Sequence, residues 1–155
     1  MELKTKVNAE NGKHDLLITR EFDLPVELLF KAYTIPEIVE QWMGTKVLKL
    51  DNKKFGGYQF ETTDAKGNVV FKANGVIHEF VVNQKITKTF EMENTPFDVQ
   101  LEFLEFEPLT NDTCKLNMHV VYKSVALRDQ VLQLPFAQGI NMAHNRLQDI
   151  VNKLK

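Results

Sequence analysis

Few residues of this chain have the type and spacing that chemistry requires. The four histidines, His14, His78, His119 and His144, lie in different segments. None has the His-x-x-x-His spacing that puts two imidazoles on one helix face to hold a metal. The single Cys114 has no partner for a disulfide or a thiolate site, and reads as a small buried hydrophobe in a strand. There is no Gly-x-Ser-x-Gly turn and no phosphate loop. Gly56-Gly57 runs into a strand pattern and marks a tight turn. Glu102 and Glu105 stand at odd separation on a strand, so they face opposite sides and are expected at the surface. No catalytic constellation, metal site or cofactor is read from these residues.

What remains is His144 and a set of aromatics. His144 follows Ile140 by four and precedes Leu147 by three, so it borders an apolar helical stripe. There it can point inward and hold, or exchange a proton with, a polar ligand group. The alternative is a rim histidine bonded to solvent or to a neighbouring carbonyl. Phe30, Tyr33, Trp42, Phe60, Phe71, Phe90 and Phe103 would crowd one interior, either as a filled core or as the wall of an apolar pocket. Trp42, closing a short helix, is placed to line a pocket mouth.

The elements that must position these residues follow from periodicity. From Phe136 to Leu154, the residues Phe136, Ile140, Ala143, Leu147, Ile150 or Val151, and Leu154 recur at helical spacing. Gln138, Asn141, Asn145, Gln148, Asp149 and Asn152 form the face expected in water. Pro135 suits the helix start, and Lys153 and Lys155 suit the negative end of its dipole. Leu16 to Phe22 alternates as a strand. A short helix is expected from Pro25 to Tyr33, then a second one opened by a Thr34-x-x-Glu37 capping box and stopped at Gly44. Between Lys46 and Tyr122 the period is two, and turn residues divide it into six strands: Val47–Leu50, Tyr58–Thr63, Val69–Val81, Ile86–Met92, Val99–Phe103 and Cys114–Tyr122. Gly75 inside the third of these predicts a bulge or bend. Strands joined by short turns pair antiparallel, and the long helix can cover their apolar face. The result is an α+β arrangement.

Composition agrees with a folded chain. Of 155 residues, 43% are apolar, enough for one ordinary hydrophobic core and one domain spanning 1–155. Nineteen basic and 21 acidic residues leave a net charge of -2, so no global basic field invites nucleic acid. No apolar run approaches bilayer-spanning length, and Met1-Glu2-Leu3-Lys4 lacks a signal-peptide pattern. A soluble cytoplasmic protein is expected.

The layout carries further landmarks. They are Ile18-Thr19-Arg20-Glu21-Phe22-Asp23-Leu24-Pro25, Phe30-Lys31-Ala32-Tyr33-Thr34-Ile35-Pro36-Glu37, Gln41-Trp42-Met43-Gly44, Phe55-Gly56-Gly57-Tyr58-Gln59-Phe60, a segment from Gly75 to Ile86-Thr87, and the tail from Gly139 to Leu147. With these the chain resembles the family of proteins similar to the activator of heat-shock chaperone ATPase, within the superfamily of START, birch-pollen allergen and polyketide-cyclase domains. Trp often follows the tail glycine in that family; here the residue is Ile140. The resemblance implies a helix-grip fold, a curved antiparallel sheet wrapped around the long C-terminal helix, with two short helices between the first two strands and an apolar cavity beneath. The candidate ligand contacts are then Phe30, Tyr33, Trp42, Phe60, Phe71, Phe90, Phe136, Ile140 and His144. Binding of a small apolar or aromatic molecule without catalysis is the expected function. A cyclase- or dehydratase-type enzyme using His144 or Tyr33 is the alternative. A co-chaperone-like or stress-response role, with a chaperone as partner, follows from the resemblance alone.

Overall fold

The computed structural model describes residues 3–155. A short strand β1 (Lys6–Asn8) precedes β2 (Asp15–Phe22), and Pro25 then caps α1 (Val26–Thr34). The second helix α2 (Pro36–Met43) begins directly at Pro36, whose fixed φ suits a first helical position. The expected capping box does not form. Thr34 still belongs to α1 and its hydroxyl donates to the Phe30 carbonyl at 2.9 Å, which leaves Ile35 as the cap. Gly44 ends α2 with φ of 64°, a left-handed conformation that glycine adopts without Cβ strain.

Six strands follow: β3 (Lys46–Leu50), β4 (Gly57–Thr63), β5 (Val69–Val81), β6 (Lys85–Met92), β7 (Val99–Pro108) and β8 (Cys114–Val121). All pairings are antiparallel, and the sheet order is β1-β2-β8-β7-β6-β5-β4-β3. The turn between β4 and β5 is held by Asp64, whose carboxylate accepts from the amides of Lys66 and Asn68 at 2.8 and 2.9 Å. The irregularity in β5 is not at Gly75. Register shifts instead between Ile77 and Glu79 against β6, and at Val70 against β4. Gly75 is required for another reason: a Cβ there would run into the Tyr58 ring and the Thr89 carbonyl, to which the Tyr58 hydroxyl donates.

The connection after β8 holds a helix that periodicity did not reveal, α3 (Val125–Gln133), capped by the Ser124 hydroxyl accepting from the Leu127 amide at 3.1 Å. Its buried residues are Val131 and Arg128, and a buried arginine hides the apolar stripe. The Arg128 guanidinium donates to the carbonyls of Glu10 and Asp15, tying α3 to the chain before β2.

The last helix α4 (Phe136–Asn152) lies against α2 and the sheet. Leu147 and Val151 enter the main core with Leu29, Phe106 and Leu116. A second cluster gathers Leu16, Ile18, Val120, Tyr122 and Val131, with Phe136 and Ile140 against its edge. Three expectations for α4 fail. Leu154 lies beyond the helix and is exposed. Gln148 is buried, with its amide bridging the Asp23 backbone N–H and C=O. Asn141 is half-buried and accepts from the Thr5 amide at 2.9 Å. Both faced inward because tertiary backbone groups satisfy them, which periodicity cannot register.

Strand β7 also reverses one expectation. Leu104 and Phe106 face the core, so Glu102 and Gln100 point inward while Phe103 turns out. Phe103 is 37% exposed and stacks on His119 at 5.7 Å, on the outer sheet face. Phe103 was expected inside and Glu102 at the surface, and the one-residue parity of the strand exchanges the two.

Candidate functional site

Between α2, the N-terminal half of α4 and the inner sheet face lies a cavity of about 440 Å³. Its apolar wall includes Trp42 from α2, Phe60 from β4, Phe71 from β5, Phe90 from β6, Leu104 from β7 and Ile140 from α4. Period-two alternation explains the strand contributions, since each of these side chains occupies an inward position of its strand. Gly44, Thr45 and Arg146 lie on the same wall near the helix ends.

Of the residues read from the sequence, Tyr33, Trp42, Phe60, Phe71, Phe90, Ile140 and His144 border this cavity. Phe30 and Phe136 do not. Phe30 packs in the core against Phe80 and Phe106, at 5.4 and 5.0 Å between ring centres. Phe136 lies against the second cluster, at the start of α4. Trp42 is a wall rather than a mouth: it is buried, and its indole N–H donates to the Ala32 carbonyl at 2.7 Å. Its ring meets Tyr33 edge-on at 5.1 Å.

His144 is not at the rim. It is 1% exposed, with Nδ1 2.7 Å from the Thr5 hydroxyl and Nε2 3.4 Å from the Tyr33 hydroxyl. Burial lowers its pKa to about 3, and the nearby Arg20 charge pushes the same way. The imidazole is therefore neutral near pH 7, with one ring nitrogen donating and the other accepting. Tyr33 is held protonated by burial, with the Glu102 charge acting in the same direction. Behind His144, the buried Arg20 guanidinium donates to the Thr5 hydroxyl and to Asn141 at 3.4 and 3.3 Å and lies over the Phe22 ring. This network joins β2 and the segment before β1 to α4. His144 thus supports the wall through an occupied hydrogen-bond set, which ill suits a proton-transfer role.

Three charged residues on the cavity wall, Lys88, Glu102 and Arg146, were missed as site residues. Glu102 is 8% exposed, and its Oε2 accepts from the Gln100 amide at 2.7 Å. Lys88 stands directly opposite Glu102 on the neighbouring strand, with its amine 4.9 Å from the centre of the Tyr58 ring. Burial pulls the Lys88 amine below its ordinary value, against the opposing pull of the Glu102 charge. A signal existed. Lys88 alternates with Ile86 and Phe90, and a charge on the apolar parity of a strand points inward. Thr45 adds an orphan: its hydroxyl is buried without a hydrogen-bond partner among the described residues.

Among the described residues, no group of His, Cys, Asp or Glu converges as a metal site. No helix among them is long and apolar enough to cross a membrane. Cys114 is buried, which raises its thiol pKa to about 12.

The family model described as "Activator of Hsp90 ATPase homolog 1-like protein" matches residues 23–152. The chain belongs to this family. Structures of the same helix-grip fold surround it. A Rhodobacter sphaeroides protein superposes with a TM-score of 0.85 at 19% identity, over 97% of this chain and 99% of that one. A Mycobacterium smegmatis protein gives 0.82 at 20% identity, over 95% and 96%. A solution structure from Arthrobacter aurescens gives 0.83 at 13% identity, over 96% and 91%. At these identities the likeness shows the fold alone. No curated protein matches the chain in sequence.

Proposed function

We propose that this member of the family binds a small apolar or aromatic molecule in the cavity between sheet and α4, without catalysis. The observation that carries the reading is the cavity itself: about 440 Å³, walled mainly by aromatic and aliphatic side chains with a few polar groups. Ligand sites are typically of about 300–1,000 Å³ and of this composition. Tyr33, Trp42, Phe60, Phe71, Phe90, Ile140 and His144 are the proposed contacts, joined by Lys88 and Glu102. The acid–base alternative loses support because His144 and Tyr33 are bonded to each other and burial holds both neutral. We take residues 1–155 as one cytoplasmic domain, in which α4 reaches both core clusters.

Native mass spectrometry of freshly purified protein should show a co-purifying small molecule, and an apolar-metabolite library should raise the melting temperature. A ligand that binds only the folded state stabilises by RT ln(1 + [L]/Kd). A broad library with no stabilising compound would count against the reading.

A second reading is favoured by the family's name, which describes relatives of an Hsp90 ATPase activator. The outer sheet face exposes Leu17 and Phe103 beside His119, an apolar patch suited to a protein partner. Stimulation of a chaperone ATPase by the purified chain, lost in Phe103→Ser, would support it. Unchanged ATPase turnover at saturating protein would dismiss it.

A further inference from the structure

Lys88 is the least explained residue of the cavity. Lys88 lines a space walled by Phe60, Phe71 and Phe90, and its amine lies over the Tyr58 ring. Among the described residues, no carboxylate forms an ion pair with it and no acceptor hydrogen-bonds it. Lys88 is half-buried, and an ammonium largely withdrawn from water without such partners is costly, so the site favours the uncharged amine or a ligand that engages it. Glu102 is its cross-strand neighbour, and cross-strand Cβ atoms lie about 5 Å apart. One Glu102 oxygen takes the Gln100 amide, and the other has no protein donor among the described residues. The chain therefore places a partly desolvated amine and a carboxylate with an unengaged oxygen on neighbouring strands of one accessible apolar pocket. That is the environment in which a lysine becomes a nucleophile.

We propose that Lys88 captures an apolar aldehyde as a reversible imine, with Glu102 carrying the proton; this rests on the cavity being a ligand site. The amine nitrogen attacks the carbonyl carbon, a C–N bond forms and the carbonyl π bond breaks. Glu102 takes a proton from nitrogen and delivers it to the oxygen, giving a carbinolamine. The C–O bond then breaks, and the oxygen leaves as water with the second nitrogen proton. Aldehyde plus amine becomes imine plus water, and no oxidant or reductant is needed. Water reverses the steps, so the ligand is released unchanged. The direction of the Lys88 shift, downward through burial, supports the uncharged amine that attack requires.

The test uses the full chain, naphthaldehyde as the reactive molecule and naphthylmethanol as its unreactive analogue. Protein and naphthaldehyde are treated with sodium cyanoborohydride at neutral pH and the adduct is mapped by peptide mass. One adduct per chain is expected, on Lys88, forming at least about tenfold faster than on any other lysine and slowed about 100-fold in Glu102→Gln, the lower range for a positioned acid–base group. Lys88→Met should lose the adduct, and the wild-type chain should bind naphthylmethanol in a dye-displacement assay. Adducts scattered over surface lysines, with naphthylmethanol bound, would overturn the imine and leave the cavity reading standing. Binding of neither compound would remove both. Should Lys88→Met fail to fold, the peptide map of the unmodified chain still decides.

Discussion

The two halves of α4 face the same sheet and are used differently. Leu147 and Val151, in the C-terminal half, are fully buried in the main core. Ile140 and Ala143, one to two turns earlier, are only half-buried and border the cavity. Helical amphipathicity does not explain the contrast, because one apolar stripe runs through both halves. The sheet explains it. Lys88 and Glu102 stand on the strands that face the cavity, and charged groups cannot be packed dry against an aliphatic helix without partners. The gap is thus written in the sheet residues rather than in the helix.

The largest expected effect breaks the packed half. Leu147→Ala should cost about 2–5 kcal/mol in chemical denaturation, the usual range for a buried leucine, and leave binding of an apolar dye unchanged. A loss below about 1 kcal/mol would make the C-terminal half as loose as the other.

The strands beside the cavity are tested next. Gly75→Ala pushes a methyl into the Tyr58 ring and the Thr89 carbonyl. Overpacking of this kind costs about 1–3 kcal/mol, and the shifted ring should weaken dye binding as well. A denaturation midpoint equal to wild type would show that Tyr58 is not held there.

His144 gives the contrast a pH signature. Its pKa is depressed to about 3 when folded, against about 6.5 in a free chain. Between these values the unfolded chain binds the extra proton, so stability falls as pH drops below about 6.5, by up to about 1.4 kcal/mol per unit. Thr5, Tyr33 and Arg20 are the groups that face the ring, and none offers a negative charge to hold a proton. His144→Gln should flatten the stability-against-pH curve in this window; an unchanged slope would assign it to other groups.

The smallest effect is Ile140→Ala. A side chain beside a void has fewer contacts to lose, so its truncation should cost under about 2 kcal/mol and enlarge the cavity toward bulkier dyes. Equal losses at Ile140 and Leu147, with dye binding unchanged in both, would make the two halves alike.

Much of this was legible beforehand. Strict alternation and turn residues marked the strands from β3 to β8, and the stripe marked α4. The three-residue β1 has too little pattern to read, and α3 turns a buried Arg128 inward where periodicity looks for an apolar residue. In the site, aromatics announced themselves by type. Thr5, Asn141 and Gln148 did not, because their partners lie far away in the chain. The parity of β7 was the costliest misreading: it sent Glu102 outward and Phe103 inward.

The single tryptophan, Trp42, lies in the cavity wall and reports directly on its contents. The most direct test is a fluorescence titration with naphthylmethanol on the wild type and on Ala143→Phe, which places a ring in the same space. The account predicts a saturable change in Trp42 emission in the wild type, weakened or abolished in Ala143→Phe with folding intact. Equal responses in both proteins, or none in the wild type while the compound is seen bound by native mass spectrometry, would contradict it.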